Sequence, residues 1–369
     1  MDVKHYVITT RPVKLVQVPD VPDQYWYESD ENSDSESAVP YFRCGQYTDN
    51  NGTADAPFFF DPQGEDADYP ATPALIGASQ QQPKGGSLEM LTNLFTELDE
   101  EGKDLLIFMF GYNNGLVKEY SHIMNIHNNY INSGNTNIGR LLMITWPSQC
   151  FGEYNQKLGI VGTLGKLIDK ITGKEIPSKT PEQISSDAGI TGDALSVFLL
   201  KLNTFVANRY ATGTRPKIHF IVQSMANHIL DQCFLNLCSL HLNTQVDNLM
   251  DNLMLTSPDI RNDVFQQGPG YRQSTAMAKK AFVVFSRQDP ILKLADAVHP
   301  IPGATRLGLT GPSTGTILPD NTTTLEVVQT DFRPSPVDFN HRYFEYNPEV
   351  IQEYAAVFKG GVVEAVVNA

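Results

Sequence analysis

The alternation of apolar and polar positions changes character along the 369 residues. Residues 3–9 (VKHYVIT) read as a strand. From about 19 to 86 the apolar runs give way to Pro, Gly, Asp, Ser and Asn, with a strongly acidic run at 28–37 (ESDENSDSES). That composition predicts a solvated, loop-rich excursion. It is long for a structureless connection, so a hairpin is expected inside it, around YFRCGQY (41–47) and FFF (58–60). From residue 87 the pattern becomes regular. Apolar positions at helical spacing predict helices at 87–102, with Ser87 as N-cap, at 115–133, at 195–210, from Met225 through Leu242, and at 347–358. Short continuous apolar runs predict strands buried on both faces at 104–110, 140–146, 217–223, 252–257, 280–286 and 324–330.

Buried strands alternating with helices describe one α/β domain over residues 1–369, a mainly parallel sheet with helices on both faces. In such sheets the ligand crevice lies outside the carboxyl ends of the strands, so chemistry is sought in the loops that leave those ends. An insertion at about 148–190 carries the apolar, Gly-punctuated stretch LGIVGTLGKLIDKITGKE (158–175). It reads either as a lid over that edge or as a surface helix.

Charge narrows the partners. Lys plus Arg number 27 and Asp plus Glu 42, a formal net charge of -15. That balance opposes nucleic acid and docking on anionic membranes. Met1 to Arg11 has no apolar run of signal-peptide length. No uninterrupted apolar run approaches about 18 residues, so no integral membrane insertion is expected. Cys44, Cys150, Cys233 and Cys238 form neither a disulfide framework nor a zinc-ligand pattern, and read as reduced thiols in a cytoplasmic protein. With no H-E-x-x-H, paired-cysteine or phosphate-loop motif, no metal and no organic cofactor is expected.

The sharpest local feature is KIHFIVQSMANHIL (217–230), where a buried strand runs into Ser224 and a helix begins at once. This is the context of a nucleophile elbow, which exposes a serine Oγ on a tight turn and aims the helix N-terminus at a developing oxyanion. The usual pattern is G-x-S-x-G; here Val222 and Ala226 flank the serine. The competing reading of Ser224 is a helix N-cap. A serine hydrolase built this way needs an acid and then a histidine, in that chain order. Asp289 comes after strand 280–286, and His341 after strand 324–330. One ring nitrogen of His341 is therefore expected to reach Ser224 Oγ, and the other to face Asp289. Asp259, after strand 252–257, is a rival acid or else a capping residue.

At FMFGYN (108–113), WPS (146–148), DAGITGDAL (187–195), QSMAN (223–227), SPDIRNDVF (257–265), SRQD (286–289), RLGL (306–309) and HRYF (341–344) the chain resembles the α/β-hydrolase family of unknown function with the motifs F-x-H-G-Y-N, W-P-S and H-S-M-G-N. The opening YVITTR (6–11) is similar to that family's first strand. The resemblance implies an α/β-hydrolase fold, with Ser224 as nucleophile, His341 as general base and Asp289 as its orienting acid. It also implies an oxyanion hole from the backbone of Met225 and of Gly111 or Tyr112. Three positions depart from the family. Phe110 and Gln223 each stand where it usually has His, and Ala226 where it has Gly. Phe110 and Gln223 are expected to line the pocket. The implied activity is cleavage of an ester or related acyl bond in a small-molecule substrate. The alternative is a catalytically degenerate fold serving as a binding or interaction module.

Overall fold

The computed structural model describes residues 3–11, 14–17, 25–28, 38, 42–50, 53–54, 58–59, 86–111, 116–148, 181–328, 340–361 and 366–368. Its strands are β1 (Val3–Thr9), β2 (Lys14–Gln17), β3 (Tyr25–Glu28), β4 (Arg43–Asn50), β5 (Thr53–Ala54), β6 (Phe58–Phe59), β7 (Asp104–Met109) and β8 (Ile138–Thr145). They continue with β9 (Ile218–Gln223), β10 (Met250–Thr256), β11 (Ala278–Phe285), β12 (Thr322–Val328) and β13 (Val366–Asn368). The helices are α1 (Gly86–Glu101), α2 (Leu116–His127), α3 (Pro181–Arg209), α4 (Ala226–Ser239), α5 (Pro269–Ser274), α6 (Pro290–Val298), α7 (Leu307–Thr310), α8 (Tyr343–Tyr346) and α9 (Pro348–Lys359). All the strands join one sheet in the order β13-β12-β11-β10-β9-β7-β8-β1-β4-β6-β3-β2, with β5 against β4. From β13 to β1 every pairing is parallel. Beyond β1 the pairings are antiparallel; among them β4 against β6 joins the two stretches, 41–47 and 58–60, where a hairpin is expected.

Alternation along each central strand builds two cores, because successive side chains point to opposite faces. Leu105, Ile107 and Met109 of β7, with Phe220 and Val222 of β9, meet α1, α3 and α4 on one face. Leu106, Phe108 and Phe110, with Ile221, Met254 and Val284, meet α2, α8 and α9 on the other. Both faces are covered, so these strands have no polar side, and β7 and β9 are buried at every position.

The helices depart from the predicted bounds in instructive ways. α1 begins at Gly86, so Ser87 lies inside its first turn and not at its N-cap. α3 begins at Pro181, well before the predicted start at 195, and takes up the end of the segment expected as a lid. The rest of that segment, 149–180, lies outside the described residues. Gly189 and Gly192 look like helix breakers, but Gly192 sits where α3 crosses α4. A Cβ there would come 2.8 Å from Gln232 Cβ and 3.0 Å from Ile229 O. Close approach of the two helices outweighs the propensity cost of glycine, about 1 kcal/mol. Ser185–Arg209 is long and apolar enough to cross a membrane by length and composition, yet 56% of its most apolar window is buried inside the protein. Cys44, Cys233 and Cys238 are free thiols; Cys150 lies outside the described residues.

Candidate active site

The site forms where β9, β10 and β11 end. Ser224 comes directly after β9 and adopts a left-handed backbone, φ 54°. Such a conformation in a residue with a Cβ costs on the order of 1–3 kcal/mol and persists only where the surroundings fix it. Here they do. Ser224 N–H donates to Thr256 O at 2.9 Å, and Ser224 O accepts from Asn227 N–H (3.1 Å) and Asp259 N–H (3.2 Å). Asn227, fully buried, adds its Nδ2 to Ser224 O (2.8 Å) and Val222 O (3.2 Å), while its Oδ1 accepts from Tyr271 Oη at 2.7 Å. Ser224 is therefore the pivot of the turn and not a side-chain cap; α4 has no side-chain cap hydrogen bond at its start. Among the described residues Met225 N–H has no hydrogen-bond partner, which leaves a helix-terminal donor beside the serine.

Gly111, after β7, abuts this turn. A Cβ on it would lie 2.6 Å from Ser224 Cβ and 2.8 Å from Gln223 O, so only glycine permits the contact. Tyr112 lies outside the described residues.

Asp289 is fully buried and caps α6: its Oδ1 accepts from Ile291 N–H (2.9 Å) and Leu292 N–H (3.0 Å). Pro290 at the first helical position suits that start. The second oxygen, Oδ2, lies 2.7 Å from His341 Nδ1. His341 is held in turn through its backbone, whose carbonyl accepts from Ser257 Oγ at 3.1 Å. Tyr343 locks that corner, donating to Val284 O (2.8 Å) and accepting from Ser257 N–H (2.9 Å). Burial holds the Tyr343 hydroxyl well above the usual phenol range, so it remains a neutral donor.

The remaining ring nitrogen departs from expectation. His341 Nε2 lies 3.1 Å from Gln223 Nε2, and Gln223 Oε1 accepts from Gly111 N–H at 2.9 Å. Among the described residues Ser224 Oγ makes no hydrogen bond. With Asp289 on Nδ1, the Nδ1 atom carries the proton, so Nε2 is a lone pair and accepts from the Gln223 amide. The glutamine thus stands between the serine's loop and the histidine, 3% exposed, and does not line an open pocket. Gly111 N–H, expected as an oxyanion donor, is engaged by it.

Phe110 is also corrected. Its ring is 1% exposed and packs on Phe108 (4.3 Å between centroids) and on His122 (5.7 Å). It fills the second core beneath the site, backed by the His122–Glu345 pair at 3.1 Å. Asp259 pairs with Arg306 and neither faces His341 nor caps a helix. Sequence reasoning missed Asn227, Ser257 and Tyr343; all three lie within quoted motifs, QSMAN, SPDIRNDVF and HRYF, and that adjacency was the available signal. Among the described residues no three His, Cys, Asp or Glu side chains come together as a metal site.

Compared with known proteins, residues 88–357 match a family described as alpha/beta hydrolase of unknown function (DUF900). No curated protein and no solved structure matches the chain.

Proposed function

Because the chain belongs to the α/β-hydrolase family of unknown function, we propose that it is a serine hydrolase acting on an ester or related acyl bond of a small molecule. Ser224 Oγ attacks the acyl carbon while His341 Nε2 takes its proton. Asp289 fixes the Nδ1–H tautomer and stabilises the imidazolium. The tetrahedral oxyanion is met by Met225 N–H and by a backbone donor of the Gly111–Tyr112 loop. The imidazolium returns the proton to the leaving alcohol, and water then releases the acyl group by the same route. The observation that carries this reading is a strained serine at the end of β9 together with a buried His341–Asp289 contact of 2.7 Å at the same sheet edge.

A fluorophosphonate probe tests it without a guess at the substrate. The parent protein is expected to label covalently and Ser224→Ala to remain unlabelled. Equal labelling of both proteins, or labelling of neither, would sink the proposal. One observation favours a second reading, that of a degenerate binding module: Gln223, not Ser224, holds His341 Nε2. That reading expects no labelling of the parent at all.

A further inference from the structure

A single side-chain amide spans two groups that acyl chemistry would need. Gln223 Oε1 takes the hydrogen of Gly111 N–H, and Gln223 Nε2 offers a hydrogen to the lone pair of His341 Nε2. The orientation of the amide is fixed from both ends. Rotated by half a turn, it would set its NH2 group against Gly111 N–H and its oxygen against the His341 lone pair, leaving two donors and two acceptors face to face. We infer that Gln223 is a latch: it holds His341 Nε2 away from Ser224, and an acyl oxygen arriving at the Gly111 loop releases it.

The coupling arises from the geometry. The bond to Gly111 anchors the carboxamide, and the anchored carboxamide reaches His341. A substrate oxygen competing for the Gly111 donor frees Oε1, and the amide then has no fixed position from which to hold His341 Nε2. Before release the Nε2 lone pair is occupied by the glutamine amide hydrogen and is not open to the serine proton. The charged groups of the neighbouring loops are already committed. Asp289 sits on Nδ1, Arg342 contacts His122 and the Tyr346 ring, and Asp259 is paired with Arg306. Gln223 is therefore a positioning residue acting through His341, and the inference rests on the serine-hydrolase reading above.

The test uses two substitutions of opposite sign in the full chain. Gln223→Met keeps the length and removes the amide. It is expected to raise the rate of fluorophosphonate labelling about tenfold, the worth of one hydrogen bond to the base. Gln223→Glu keeps an acceptor for Gly111 N–H but presents a carboxylate oxygen to Nε2, which favours imidazolium over free base. It is expected to label about tenfold more slowly than the parent at neutral pH. A purely structural role would slow both variants, and that result, or two unchanged rates, would overturn the latch while leaving the serine reading intact. If Gln223→Met does not fold, Gln223→Ala carries the same expectation. The ¹⁵N resonances of His341 give a readout independent of turnover. Nε2 should lose its hydrogen-bonded shift in Gln223→Met, and an unchanged shift would overturn the latch even if no variant labels. Absence of labelling throughout, with the Nε2 shift changed, would confirm the Gln223–His341 hydrogen bond but overturn the hydrolase and the latch that rests on it, whereas measurable but unchanged rates overturn the latch alone.

Discussion

Asp289 has two roles that one substitution can separate. One oxygen caps α6 and the other meets His341. Asn retains an oxygen for the cap and loses the anion facing the imidazole. Asp289→Asn is therefore expected to keep its fold by circular dichroism while fluorophosphonate labelling slows by roughly 10³–10⁴. Asp259→Asn should do the reverse. It removes the charge of the nearer of two carboxylates at Arg306, whose side chain is 8% exposed, leaving Asp296 at 3.8 Å, and should cost roughly 1–3 kcal/mol in urea unfolding with little change in labelling. A slow-labelling Asp259→Asn would mean that the wrong carboxylate has been assigned. Phe110 belongs with Asp259, not with Asp289. An imidazole in its place would bury a polar ring between Phe108 and His122. Phe110→His should thus lower stability by about 1–3 kcal/mol and change short- and long-chain ester rates equally. A selective loss on long chains would return Phe110 to the pocket.

At the scale of elements, the elbow is held by α4 as much as by β9. Asn227, in the first turn of α4, is a side chain that binds both Val222 O and Ser224 O. Asn227→Ala removes one donor each from Val222 O and Ser224 O and leaves the Tyr271 hydroxyl without its acceptor. It should cost about 2 kcal/mol or more and slow labelling even at temperatures where the protein stays folded. Unchanged labelling in a folded variant would show that the strained turn stands without it. The same elements show what can be read from sequence alone. The strands from β7 to β11 are legible because burial on both faces writes itself as an apolar run; β12, expected at 324–330 as buried on both faces, runs from Thr322 to Val328 and buries only Leu325 and Val327, so its β-branched residues are the signal instead. β13, only Val366–Asn368, is too short for any such run. The start of α3 is hidden because helix packing, not propensity, decides what Gly192 is worth. The order Ser224, Asp289, His341 at strand ends can be read as well. The position of the Gln223 side chain cannot, because a rotamer between two loops leaves no periodic trace.

Over the whole molecule, buried neutral histidines set a pH dependence. Burial draws His219 down to about 3, with its Nδ1 accepting from Asn252 at 3.0 Å. His5 is lowered by burial, then by His127 and Arg140. Unfolded, both would titrate near 6.5. Below that value the unfolded chain binds protons that the folded chain refuses. Stability should therefore fall as pH drops from about 6.5 toward about 3, by up to ~1.4 kcal/mol per pH unit for each group. Urea midpoints at successive pH values should show a shallower fall in His219→Gln; an identical slope would mean that His219 is protonated in the folded state. Strand order has a consequence of another kind, for synthesis. β1 lies between β4 and β8, with Tyr6 beside Leu142. A ribosome releases β1 and β4 long before β8 exists. Through that interval the β1 edge of the antiparallel unit, Val7 and Ile8 among its residues, lacks the partner it later has in β8 and is open to any extended chain nearby. The sheet closes around β1 only after residues 138–145 emerge, so the β1 edge of the nascent chain stays open to mispairing until then.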